Sequence, residues 1–212
     1  YASDKDRESR FVALRAPQIG HARWELDVLA ADNSDGRSYR VGIIRPFFAL
    51  DTRWSAGFDG FDDERREQRY QFGEIIDRYA RQQRGFNVLA GWSAGLVGDL
   101  TQRYTFGLSS DRRHYSAVPP IDGIATSVLP EDRELIYPWI GYELVENRFA
   151  VERNRDQMGR SEDVLLGWHA SARLGLATPG FGSDRRAWVY AGALLYGDRL
   201  DETQSWLIAG QI

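Results

Sequence analysis

Cysteine is absent from the 212 residues. That excludes disulfide scaffolds, cysteine nucleophiles and thiolate metal sites. Lysine is nearly absent as well. Lys5 is the only one, so arginine supplies the rest of the 27 basic residues. Two explanations fit: a GC-rich genome, or arginine lining a polar interior. An excess of positive charge is also missing. The 27 basic residues face 31 acidic ones, for a net charge of −4, so a nucleic-acid partner gains no electrostatic support. No apolar run approaches the ~18–20 residues of a membrane-spanning helix. This excludes a helical membrane protein but leaves a membrane β-barrel open, because barrel strands alternate and average out as polar. The three histidines, His21, His114 and His169, lack the short spacings of metal ligands, so neither a metal nor a cofactor is expected.

What is present is apolar and aromatic. Hydrophobic residues make up 42% of the chain and aromatics 13%, too much for a disordered tail. Their dominant pattern has period 2, the signature of half-buried strands. Trp24, Leu26, Val28 and Ala30 share one face of their run; Trp54, Ala56 and Phe58 do so in Thr52–Asp59. The runs Phe86–Leu96, Arg103–Ser109 and Val164–Leu176 repeat the pattern, and Arg37–Ile44, Leu135–Val145, Ala187–Tyr196 and Ser205–Ile212 are noisier versions. With Phe11–Arg15, about ten strands are expected. The segments Asp32–Gly36, Gly98-Asp99 and Thr178–Asp184 read as turns. Asp62–Gln68, Arg112–Glu134 and Glu146–Ser161 read as longer polar connections. Arg69–Gln83 fits either a helical turn around Ile75, Ile76 and Tyr79 or a β extension of an outer loop, and the extension is the reading taken. No repeat or linker divides the chain, so residues 1–212 are read as one domain. The first residue is Tyr1, no signal peptide is present, and Ser205–Ile212 reads as an interrupted strand; a piece of a longer chain is expected.

What the apolar face meets decides the class. In a soluble β-sandwich it would meet a second sheet. Here the opposite face mixes Gly, Ser and Ala with isolated charges such as Arg53, Asp59, Arg103, His169 and Arg173, which suits a polar lumen. The apolar face carries bulky aromatics: Trp24, Tyr39, Trp54, Trp92, Tyr104, Trp139, Trp168, Trp188 and Trp206. Trp and Tyr favour the wet–dry boundary of a bilayer. The expected fold is therefore all-β, an open antiparallel meander forming part of a transmembrane β-barrel, with outer-membrane lipid as its first partner. The alternative is a soluble all-β binding module.

One string points to catalysis. Gly91-Trp92-Ser93-Ala94-Gly95 matches G-x-S-x-G, which in hydrolases presents a serine on a strained strand-to-helix elbow. Here no helix pattern follows, and Thr101–Ser109 alternates instead. Ser93 is expected in an extended strand facing the lumen, without a histidine in reach. The chain is read as a non-enzyme, with a Ser93 esterase as the alternative.

Several strings resemble the bacterial surface-antigen barrel superfamily, which includes outer-membrane insertases and two-partner secretion translocases. They are Ala16-Pro17-Gln18-Ile19-Gly20, Asp32-Asn33-Ser34-Asp35-Gly36, Tyr137-Pro138-Trp139-Ile140-Gly141 and Arg160-Ser161-Glu162-Asp163. Above all, Arg45-Pro46-Phe47-Phe48-Ala49-Leu50-Asp51 resembles a strand-plus-turn found early in that barrel. The resemblance implies a sixteen-stranded barrel, of which this chain supplies roughly strands two to eleven. It also implies unfolded outer-membrane or secreted proteins as clients. The family's inward loop carries an L/V-R-G-F/Y motif, which this chain lacks, so no family site residue is carried over.

Overall fold

Alternation along each strand and pairing between strands together sort the side chains to two faces. The computed structural model describes residues 2–4, 7–120, 123–124, 126, 128–153, 161–199 and 205–212. Its strands are β1 (Ala2–Asp4), β2 (Arg7–Ile19), β3 (Trp24–Asn33), β4 (Gly36–Arg45), β5 (Trp54–Gln71), β6 (Glu74–Val97), β7 (Leu100–Ala117), β8 (Arg133–Glu146), β9 (Arg148–Arg153), β10 (Ser161–Ala177), β11 (Ala187–Arg199) and β12 (Ser205–Gln211). They form one antiparallel sheet in chain order, with β9 paired to β10 beside the main path. Among the described residues β12 does not pair back to β1 or β2, so the sheet is open. The only helix described is a single 3-10 turn, Pro179–Phe181.

The ten expected strands are all present, and two short ones join them. β1 is one. The other is β9, which lies inside the expected connection Glu146–Ser161, whose residues 154–160 fall outside the described ones. β8 and β9 behave as one strand interrupted at Asn147: β9 pairs with the first half of β10 and β8 with the second.

The expected loop Asp62–Gln68 is also strand. β5 and β6 stay paired from Trp54↔Trp92 out to Gln71↔Glu74, closed by the two-residue turn Phe72-Gly73. Both turn residues have positive φ, 52° and 85°, as the twist of a tight hairpin demands. Arg69–Gln83 is thus a β extension. β6 has 24 residues, more than twice the ~9–11 of a tilted bilayer crossing. The end bearing the Phe72-Gly73 turn is called upper below, and the end bearing the Gly98-Asp99 turn lower.

Apolar and polar residues are inverted relative to a soluble domain. Among the described residues, the largest fully buried side chains are Thr101, Asp77 and Ser93. Ile140 is 66% exposed and Trp188 63%, and neither meets a second sheet. On the outward face Ile43, Phe58, Val88, Leu108 and Pro138 fall in one cross-strand row. Below them runs a chain of ring contacts: Trp24–Trp54 at 6.2 Å, Trp92–Tyr104 at 6.2 Å, Tyr104–Tyr142 at 5.3 Å, Trp168–Tyr196 at 4.4 Å and Tyr196–Trp206 at 5.5 Å. Four residues above Ile43, Tyr39 lies in register with Asp62, and there charge begins, with the ion pairs Asp62–Arg84, Arg37–Glu64 and Arg112–Glu134. From Trp92 to Arg84 is about 26 Å along the strand and about 20 Å after a tilt of ~40°, close to the ~25 Å apolar band of outer-membrane barrels.

Trp139 departs from expectation. It faces inward and is 6% exposed. Its register partner Gly107 leaves the space, since a Cβ there would lie 2.6 Å from the indole.

Candidate functional site

The inner wall of β5 to β10 carries a folded-in segment and two polar clusters. The segment is residues 46–53, between β4 and β5. Thr52 ties it into a turn, its Oγ1 accepting from Ala49 N at 3.1 Å. The turn packs against β6 and β7 rather than pointing away. Thr101 Oγ1 donates to Leu50 O at 3.1 Å, and Arg103 Nη2 donates to Ala49 O at 3.2 Å. The Arg103 guanidinium lies 5.1 Å from the Phe47 ring. On the flank, Arg23 and Arg45 both stack on Phe48, at 4.4 and 5.1 Å.

Both glycines of the G-x-S-x-G string serve this contact. A Cβ on Gly91 would lie 2.9 Å from the Phe47 ring and 2.4 Å from Ser55 Oγ. Gly95 adopts φ +79° and passes the Asp51 backbone so closely that a Cβ would sit 3.3 Å from its carbonyl oxygen. It lies in the β-bulge between Ser93 and Leu96, where a left-handed glycine is the usual solution. Ser93 is fully buried. Its Oγ donates to Gln102 O at 2.7 Å and accepts from Gly95 N at 3.0 Å, while its backbone N–H donates to Arg53 O at 2.9 Å. Ser93 is on an extended strand as expected, and its hydroxyl holds the bulge. It makes no hydrogen bond to His169; the register row Ser93–Arg103–Glu143–Ser171 sets three strand spacings between β6 and β10.

The first polar cluster centres on Glu143. Arg103 Nη1 donates to one carboxylate oxygen at 2.9 Å, and His169 Nε2 lies 2.8 Å from the other. Arg103 therefore ties the wall carboxylate to the folded-in turn. The second cluster centres on Asn87. Its Oδ1 accepts from Trp139 Nε1 at 3.1 Å and Ser109 Oγ at 2.7 Å, and its Nδ2 donates to Asp59 at 3.3 Å. Arg173 Nη2 donates to Ser109 Oγ at 2.8 Å, and its guanidinium covers the Trp139 ring at 3.6 Å. The expected lumen residues Asp59, Arg103, His169 and Arg173 thus lie on one face. These clusters can fix a wall and hold a turn. They do not align a nucleophile with a base, and among the described residues no group of three or more potential metal ligands occurs.

The other sequence candidates lie apart. His114 is at the upper edge, its Nδ1 2.6 Å from Asp132 Oδ2. Backbone donation by Tyr115 and the contact with His114 hold the Asp132 carboxyl below the usual carboxylate range. His21 is in the exposed turn between β2 and β3. Sequence reasoning missed Glu143, Asn87 and the inward path of residues 46–53. The signal available was glycine on the polar face of adjacent strands, Gly91, Gly107 and Gly141, which marks close approach.

Searched against known proteins, the chain matches no family model and no curated protein. A solved structure does match: BamA from Haemophilus ducreyi lacking POTRA domains 1–3, with a TM-score of 0.50 and 14% identity. The fold resembles the BamA barrel. The alignment covers 97% of this chain and 40% of that BamA chain, so the likeness spans less than half the length of that chain and is a likeness of fold.

Proposed function

We propose that residues 1–212 are part of a transmembrane β-barrel domain in the bacterial outer membrane. One observation carries this reading: an outward apolar band bounded below by stacked aromatics and above by ion pairs, on a sheet whose other face is polar. An apolar face of this kind loses its stabilisation in water and gains it against lipid tails. The fold's likeness to BamA supports the same reading. Membrane fractionation tests it. The protein remains in the bilayer after alkaline extraction and leaves only with detergent; extraction without detergent favours the soluble module.

Within that reading, the chain belongs to a non-enzymatic barrel that inserts or translocates other proteins. The motif resemblance around Arg45–Asp51 and the BamA-like fold support this. Its partners are outer-membrane lipid and unfolded outer-membrane or secreted clients, with no nucleic acid. Depletion of the protein in its host, followed by measurement of newly assembled barrels and of secreted passengers, tests this. Loss of one class of client identifies the process, and unchanged levels of both exclude it.

A further inference from the structure

The upper rim of the outward face holds a charge arrangement that the barrel alone does not explain. Arg84 on β6 and Arg112 on β7 are direct register partners. Such partners have Cβ atoms about 4.5–5.5 Å apart, and like charges placed there repel. Each arginine has one carboxylate, and both carboxylates lie on the far sides. Arg84 Nε meets Asp62 Oδ2 at 2.9 Å on β5, and Arg112 Nη2 meets Glu134 on β8. The row across four strands therefore reads acid, arginine, arginine, acid. The two arginine side chains are 61% and 60% exposed. Arg84 Nη2 also donates to the Gln82 side-chain oxygen at 2.7 Å; with five donors on each guanidinium, both arginines still keep several free. On the same face, Phe86 lies two residues below Arg84, and Leu108 lies four below Arg112, past Ser110; Phe86 and Leu108 are 37% and 39% exposed. The pair thus lies where the apolar band ends.

We propose that Arg84 and Arg112 form a binding site for the anionic phosphate of a lipid headgroup. The inference rests on the membrane reading above. A phosphate between the two guanidinium groups accepts charge-assisted hydrogen bonds from both, as arginine forks favour, and it removes their mutual repulsion. The lipid's acyl chains then run down over Phe86, Val88, Phe106 and Leu108, so one molecule satisfies the charged rim and the apolar band together. Free inorganic phosphate has no such second contact.

The test uses the purified full-length protein in phosphatidylcholine vesicles with and without phosphatidic acid, and reads lipid retained after delipidation by native mass spectrometry. Phosphatidic acid is expected to be retained by the wild type in preference to phosphatidylcholine. Arg84→Gln with Arg112→Gln is expected to lower that retention roughly tenfold or more, since both charge-assisted contacts to the phosphate are lost. Arg37→Gln, at the same rim but one strand pair away, leaves it unchanged. Far-ultraviolet circular dichroism of each variant checks that the sheet is intact. Equal retention of both lipids, an unaffected double variant, or displacement of phosphatidic acid by millimolar inorganic phosphate overturns the proposal. Failure of the protein to stay in the vesicles under alkaline wash overturns the membrane reading instead, and is read separately from lipid choice.

Discussion

Ser93 and Glu143 act through what they hold. Ser93 closes a bulge by donating to one backbone group and accepting from another, both buried. Ser93→Ala leaves Gln102 O and Gly95 N without those partners, a cost of about 1–3 kcal/mol. Denaturant unfolding in lipid, followed by tryptophan fluorescence, should register this loss, while hydrolysis of a chromogenic ester stays at the level of the wild type. A fall in ester hydrolysis would restore the esterase reading. Glu143 receives two cationic or polar donors, and Glu143→Gln removes the charge both require. Partial exposure tempers the effect to about 2–3 kcal/mol. The same variant weakens the grip of Arg103 on Ala49, so limited proteolysis should cut residues 46–53 faster than in the wild type. Legibility at this scale was partial. The alternation placed Ser93 inward with Arg103, but the bulge that breaks the alternation after it, and the turn that Gly91 and Gly95 admit, depend on chain segments far away in sequence. Alternation does not reveal the face of Trp139, because Leu135–Val145 is apolar on both sides: Tyr137 and Trp139 fill the lumen opposite glycines while Ile140 and Tyr142 face out.

Strands that leave the apolar band lose the signal by which sequence reveals them. The band portions of β3 to β7 alternate cleanly, because one face is greasy and the other polar. The β5–β6 extension has charge on both faces, so Asp62–Gln68 resembles a loop although its ladder is unbroken. Ion pairs replace burial there. Asp63 accepts from Ser38, from Arg65 Nε at 3.2 Å and from Arg81 Nη2 at 3.3 Å, and Glu67 meets Arg81 at 3.4 Å. Burial pushes the Asp63 carboxyl up, but the Ser38 hydroxyl and the two guanidinium groups outweigh it, and the net shift is downward. A lowered folded value means the group stabilises the extension above the ordinary aspartate range near pH ~4. That contribution disappears as pH falls through the folded value. Hydrogen-exchange protection factors, taken against the intrinsic rate at each pH, should therefore fall across residues 61–71 and 74–84 at acid pH, while the ladder lower on β5 and β6 keeps its protection. Asp63→Asn should remove the Asp63 part of that pH dependence and start from weaker protection at neutral pH. Unchanged protection factors between pH 7 and pH 3 would mean that backbone pairing alone maintains the hairpin.

A sheet with polar residues buried and apolar ones outward is stable only in a solvent that matches it, and the depth of each outward residue then sets the cost of charging it. Val88 lies in the middle row with Ile43, Phe58, Leu108 and Pro138, and is 45% exposed. Tyr39 lies at the upper edge, is 50% exposed, and has Asp62 as its register partner. Their exposure is nearly equal, so a water-facing sheet would treat an arginine at either position alike. A bilayer would not. At mid-depth an outward arginine costs ~2–4 kcal/mol, and near the interface ~0–1 kcal/mol. At Tyr39 the long side chain also reaches the headgroups and the Asp62 carboxylate, which lowers the cost further. Val88→Arg is therefore expected to lower unfolding stability in vesicles by several-fold more than Tyr39→Arg, with the sheet content of both variants intact. In detergent micelles, which deform around a charge, the gap should narrow. Equal losses at the two positions, or a larger loss at Tyr39, would place the convex face in water and leave the aromatic chain from Trp24 to Trp206 in need of a different partner.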